Sequence, residues 1–386
     1  MHRVLVIGLL LLFFAQMAFG ARHLSLTADE PAHIVRGYVA LTSGDFWMVP
    51  LLGHPPLIEE WAALPLVVRP DRPDPSTISH WEDNAALYIQ ALLPALGSVT
   101  QLEILTRVPI MLLAMVLLSM VYRWASEVGG RWAGTCAVFL MALDPAMIAH
   151  SQLDTTDLGI TLFMFIFVYL FHNMTERPSI GRILAAGLAA GGAMAAKHSG
   201  ILVLPLAWAL AAWAWVWHDS DFRNNSFCAA IRTLDVSRAV GWAGRVLAVS
   251  GISVVVLWAA YGFEVELQKT FPWIIPFPRH IQSLGSLFES QARLSFLRGN
   301  LREGGWWWYY IYVFVIKTPL PLLVGLLFTC CDELKRGWRA WLADMPIWIL
   351  PAVYWISVMG SEMQIGYRHL LPMLPFIYVA VGRAAS

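Results

Sequence analysis

The chain has 386 residues, 26 basic against 26 acidic, with 58% hydrophobic side chains and only 13% charged ones. A soluble domain carries about twice that share of charge, which excludes an ordinary soluble globular protein, and the even balance leaves no basic surplus for nucleic acid. The apolar residues gather into runs of about 15–22, the length of a membrane-crossing helix, so the expected fold class is an all-α polytopic membrane protein.

Ten spans are expected in chain order, at 4–20, 104–122, 132–149, 158–172, 183–199, 201–217, 245–262, 306–328, 345–360 and 369–384. The first run follows Arg3 and ends at Gly20-Ala21, the pattern of a signal peptide as well as of an anchor. Under both readings the segment after it lies outside. That segment, 21–103, is a long outer loop with two helical patterns. Thr27 to Gly44 places Ala32, Val35, Tyr38 and Val39 on one face, with Asp29 or Thr27 able to cap it. Pro55-Pro56 precedes a second amphipathic stretch, Leu57 to Leu66, and such helices lie flat in a membrane interface. Arg69 to Pro75 reads as an exposed, turn-rich tip.

The block Ile183 to Trp217 would be about 52 Å long as one helix, too long for a single crossing. It reads as two spans turning at Lys197-His198-Ser199-Gly200. Arg123 and Arg131, Arg177 and Arg182, Arg223 to Arg245, and Lys335-Arg336-Arg339 fall on one side, and the loop 150–157 opposite them has no Lys or Arg. The excess of positive charge marks the cytoplasmic side, which leaves 21–103 and a second long loop, 263–305, outside. The Asn-x-Ser/Thr matches at Asn173 and Asn225 would then face the cytoplasm. Several of the 19 Trp fall at run ends, and Trp306 to Tyr310 reads as an interfacial belt or a surface for stacking a sugar. Cys136, Cys228, Cys330 and Cys331 have no metal spacing and suit no disulfide framework.

This topology gathers polar residues from distant parts of the chain at one membrane level: Asp29, Glu30, His33, His54, Glu59, Glu60, Arg107, Asp154, Asp157, Lys197, His198, Glu362, Arg368 and His369. Carboxylates there can take a proton from an attacking hydroxyl, and cations can hold a phosphate as charge builds on it. Transfer of a sugar from a lipid phosphate needs that combination. Each residue also has a plainer reading: Asp29-Glu30, Asp154 and Asp157 as helix caps, Arg107 and Arg368 as interfacial anchors. Lys197, deep in an apolar block, is the hardest to explain without a partner.

Asp29-Glu30 with His33 and Tyr38, followed by Gly53-His-Pro-Pro-Leu57, resembles the first outer loop of the protein O-mannosyltransferases. Further segments resemble the bacterial branch of these family-39-type enzymes: Ala149 to Asp157, Ala196 to Gly200, Gly304 to Tyr310 with Ile316 to Pro319, and Gly366 to Pro375. The resemblance implies a GT-C fold and inverting transfer of a sugar, mannose-like, from a polyprenyl-phosphate donor. The acceptor would be a hydroxyl of protein Ser/Thr, a glycan or a lipid, at the outer face of a bacterial inner membrane. Asp29 matches the catalytic carboxylate; Glu30, His33, His54, Asp154, Asp157, Lys197, His198 and Arg368 are the expected substrate-binding residues. No cofactor is implied beyond the lipid-linked donor, although several outer carboxylates leave a divalent ion open. Two features depart from the eukaryotic enzymes: Glu59-Glu60 stand where those have a basic residue, and 263–305 is too short for their inserted β-trefoil. One transmembrane domain, 1–386, without a C-terminal soluble domain is expected. The alternative reading, a secondary transporter, would put charges near the bilayer midplane and show internal repeats.

Overall fold

The computed structural model describes residues 2–78, 84–218, 236–267, 274–289 and 294–386. Helices dominate them. α1 (His2–His23) leads into the first outer segment, which folds as α2 (Glu30–Ser43), α3 (Val49–Leu52), α4 (Leu57–Val67) and α5 (Ala85–Leu96). The bundle continues with α6 (Val99–Ala142), α7 (Pro145–His150), α8 (Thr156–Glu176), α9 (Ile180–Ala196) and α10 (Val203–Trp217). α11 (Val236–Ala260), α12 (Pro278–Glu289), α13 (Tyr309–Lys317), α14 (Leu320–Arg336), α15 (Trp338–Met359) and α16 (Leu374–Ala384) complete it. By length and composition six helices suffice to cross a membrane among the described residues, or seven if the bent pair α13–α14 is one span.

The expected spans map onto these helices with instructive breaks. α6 is 44 residues long and folds back at Gly130, whose φ of 82° only glycine adopts easily. Its two arms are the expected second and third spans, with Ser98 and Gln101 closing a capping box at its start. The turn expected at 197–200 is there: Lys197 is extended, and a 3-10 helix, His198–Leu202, leads into α10. The expected continuous span 306–328 is corrected. Thr318-Pro319 ends α13 and α14 leaves at 113°, because Pro319 cannot continue the hydrogen-bond ladder. The last span is likewise partly 3-10, Tyr367–Met373, before α16.

Small residues set the closest packing. On α9 a Cβ at Gly187 would lie 2.6 Å from Ile252, at Gly191 2.4 Å from Val256, and at Gly192 2.5 Å from Phe163. α8, α9 and α11 therefore meet almost backbone to backbone, as membrane helices do at small residues. The core beside them is aromatic, with Trp124 edge-on to Phe165 and Phe376 at 5.3 and 5.7 Å.

The all-α expectation needs one amendment. The second outer loop holds two short antiparallel hairpins, β1 (Val265–Leu267) with β2 (Ile274–Pro276), and β3 (Leu294–Leu297) with β4 (Asn300–Glu303). Arg298 and Gly299, at φ 52° and 82°, make the tight turn whose twist matches that of the paired strands. Cys228 and Asn225 lie outside the described residues; Cys136, Cys330 and Cys331 are free thiols.

Candidate active site

The first outer segment is a preformed platform. α2 and α4 touch through backbone: a Cβ on Gly37 would lie 2.0 Å from the Glu59 carbonyl oxygen. That approach sets Glu59 across from His33 and Arg36. Its Oε1 accepts from His33 Nδ1 at 2.7 Å and from Arg36 Nη2, all three side chains being buried. Gly53, left-handed at φ 75°, ends α3 and presents His54, whose ring lies 5.4 Å from that of His33. Burial, then the neighbouring His33, Arg36, Lys197 and His198, hold His54 well below the usual imidazole range.

The adjacent carboxylates Asp29 and Glu30 have opposite roles. Glu30 is completely buried and takes a two-pronged contact from Arg107, Nε to Oε1 and Nη2 to Oε2, both 2.8 Å. The backbone N–H groups of Thr27 and Asp154 donate to it at 2.7 and 3.0 Å. Burial pushes its carboxyl up, but Arg107 and those two N–H groups outweigh it and leave it below its ordinary range. Arg107 also donates to the carbonyls of Ala21, Leu24 and Ser25. The expectation that Glu30 lines the pocket is therefore corrected: the pair has no free donor or acceptor to offer, and it fastens the start of the outer segment to α6. Arg107 is likewise no snorkelling anchor.

Asp29 stands at the N-terminus of α2 but makes no side-chain cap. Its Oδ2 is 2.6 Å from Arg368 Nη1, and about half of its side chain remains exposed, at 48%. Arg368 lies in the 3-10 helix 367–373, more than three hundred positions on, and its Nε is buried without a partner. A second pair sits within electrostatic reach of the first: Lys197 Nζ to Asp157 Oδ1, 2.6 Å. The break between α9 and α10 aims Lys197 at the first turn of α8, so Asp157 serves the lysine and does not cap its helix.

Asp154 differs from both. It is fully buried, and among the described residues neither carboxylate oxygen has a hydrogen-bond partner. Burial, with the charges of Glu30 and Glu59 behind it, raises its carboxyl well above the usual range, which favours the protonated form. It therefore lies behind the site and does not face a phosphate from within it. His198 is held on α12, its Nε2 2.8 Å from Ser283 Oγ and its ring 4.8 Å from that of His280.

Three residues outside the expected set belong to this neighbourhood. Arg36 shares Glu59 with His33, and its place three residues along one buried helical face was a usable signal. His150 is in electrostatic reach of Asp157, Arg368 and Lys197, and of Lys317 as well. His150 and Lys317 both lie in segments that carried the family resemblance. Of the aromatic run, Trp307 is exposed as a belt residue, but Tyr310 is buried and donates to the Met363 carbonyl. Among the described residues no three His, Cys, Asp or Glu side chains come together as a metal site.

An open apolar cavity of about 1010 Å³ runs between α13, α14, α15 and α16, lined by Phe314, Trp341, Trp348 and Trp355 among others. Ile311 and Phe314 place one end of it on α13, the helix that ends at Lys317.

Residues 85–230 match the family model described as dolichyl-phosphate-mannose-protein mannosyltransferase. The match takes in Arg107, Asp154, Asp157, Lys197 and His198 but neither Asp29 nor Arg368. No protein of curated function matches the sequence. Among solved structures, ArnT from Cupriavidus metallidurans in the apo state is similar with a TM-score of 0.61 at 17% identity, over 99% of this chain and 58% of that one. The same protein bound to undecaprenyl phosphate gives 0.57 at 16%, over 99% and 59%. The Archaeoglobus fulgidus oligosaccharyltransferase in its apo form gives 0.54 at 14%, over 99% and 50%. The chain thus spans between half and three-fifths of the length of the structures it matches. It is an integral membrane protein that shares the fold of these structures, the GT-C fold.

Proposed function

We propose that this chain transfers a sugar, mannose-like, from a polyprenyl-phosphate donor to a hydroxyl acceptor at the extracytoplasmic face of a bacterial inner membrane, with inversion. The acceptor is a protein Ser/Thr, a glycan or a lipid. One observation carries the reading: Asp29, Asp157, Lys197 and Arg368, from four remote segments, meet at one end of the bundle as two adjacent 2.6 Å ion pairs. A transporter would place such charges near the midplane. ArnT is solved with undecaprenyl phosphate, and the apolar cavity beside α13 suits a polyprenyl tail in this chain.

In this reading Asp29 is the base. The acceptor oxygen bonds to the anomeric carbon from the face opposite the phosphate, and its proton passes to Asp29. The bond from that carbon to the phosphate oxygen breaks, and its electron pair leaves on the polyprenyl phosphate. Arg368 and Lys197 stabilise the charge that gathers there. The donor phosphate competes with Asp29 for Arg368, so donor binding frees the base. His54 and His33 form the wall on the α2–α4 side.

Separating binding from chemistry tests the assignment. Arg368→Ala raises the donor KM by about 10- to 100-fold, the worth of a charge-assisted contact, and Arg368→Lys recovers part of it. An unchanged donor KM in Arg368→Ala would overturn the phosphate role.

A further inference from the structure

The three cations in reach of His150 are not equivalent. Lys197 and Arg368 are each held at 2.6 Å by a carboxylate, Asp157 and Asp29 respectively. Lys317, the third cation in reach of His150, is exposed on the protein surface and makes no hydrogen bond or ion pair among the described residues. It is the last residue of α13, at the 113° elbow before α14. That elbow is pinned to the segment carrying Arg368, because the hydroxyls of Thr318 and Tyr367 lie 2.8 Å apart and both residues are buried. The helix it ends also lines the apolar cavity, through Ile311 and Phe314. Next to it the Nδ1 of His150 is buried without a partner.

We infer that Lys317 is the entry ligand for the donor phosphate: the unpaired cation at the end of α13, a helix that lines the apolar cavity, which captures the headgroup while the chain lies along α13 to α16. The inference rests on the glycosyltransferase reading and names the residue that meets its donor first. Charge supports it. Lys197, Arg368 and Lys317 are all in reach of His150, and two of the three are paired with carboxylates, Asp157 and Asp29, which leaves one positive charge for a donor phosphodiester carrying one negative charge. After transfer Asp29 holds the acceptor's proton and is neutral, so two positive charges remain for a phosphate monoester approaching two negative charges. Without Lys317 the resting site has no surplus, and the donor would have to break an existing ion pair before it is held at all.

The plainer role for Lys317 is a favourable cation at the C-terminus of α13. Farnesyl phosphate and farnesol as probes, bound to the purified full chain in lipid, separate the two. For Lys317→Ala, farnesyl phosphate affinity falls about 10- to 100-fold while farnesol affinity stays at the wild-type level. Lys317→Arg restores most of the loss, and Lys317→Met covers an Ala variant that does not fold. Wild-type affinity for farnesyl phosphate in Lys317→Ala or Lys317→Met would overturn the inference. An equal loss for farnesol would do so too, since it would mark a role in shape and not in charge. If the wild-type protein itself ignores farnesyl phosphate and every polyprenyl-phosphate sugar, the glycosyltransferase reading falls and takes the inference with it.

Discussion

Neighbouring residues in this protein have opposite jobs, and burial with partners tells them apart. Asp29 and Glu30 read alike in sequence, yet one is half exposed on a single arginine and the other is enclosed by four hydrogen bonds, two from Arg107 and two from backbone N–H groups. Asp154 and Asp157 divide the same way. Burial favours the protonated form of Asp154, so Asp154→Asn, close to it in shape and charge, is expected to change stability by no more than about 1 kcal/mol. Asp157→Asn leaves Lys197 without its counter-charge and costs about 3 kcal/mol. Thermal unfolding of the two variants in one detergent checks the contrast, and equal effects would contradict it. Glu60 supplies a pH test. Burial and then the charge of Glu59 raise its carboxyl to about 7. A carboxyl raised on folding stabilises the fold below its unfolded value, and that contribution is lost as pH rises through the folded one. Stability attributable to Glu60 should therefore decline between pH 4.5 and about 7. Glu60→Gln should flatten that decline and leave the protein more stable at pH 8; a wild-type-like pH profile would refute the assignment.

At the scale of elements, the site depends on how closely helices approach. α2 and α4 are in backbone contact at Gly37, and that contact places Glu59 on His33 and Arg36. Gly37→Ala forces them apart, which costs about 1–3 kcal/mol and raises the donor KM through His54. Gly8→Ala, where a Cβ meets nothing within 4 Å, is the silent control. Unfolding midpoints and donor KM for both variants measure this, and a silent Gly37→Ala would show that the platform is not rigid. Much of this layer was legible in sequence. The two amphipathic stretches of the outer loop became α2 and α4, and the turn at Lys197 to Gly200 followed from a block too long for one crossing. The α13–α14 elbow was missed although Pro319 announced it, because the apolar run continues straight through it. The hairpins were missed because strands of three or four residues carry too little alternation to be seen.

For the molecule as a whole, hydropathy and the placement of Lys and Arg were enough to bring residues from both ends of the chain to one level, and the GT-C fold agrees with that arrangement. Pair identities were not legible. Which carboxylate meets which cation depends on side-chain geometry between Asp29 and Arg368, or Glu30 and Arg107, and no periodicity carries that information. The central claim is that Asp29 performs base chemistry on a lipid-linked sugar. Its most direct test is sugar release from a panel of polyprenyl-phosphate sugars by the purified protein in lipid, with acceptor peptides and glycans present, wild type beside Asp29→Asn. The account predicts turnover of one donor by the wild type and a loss of about 10²-fold or more in Asp29→Asn, with donor binding retained. Wild-type turnover by Asp29→Asn would contradict it.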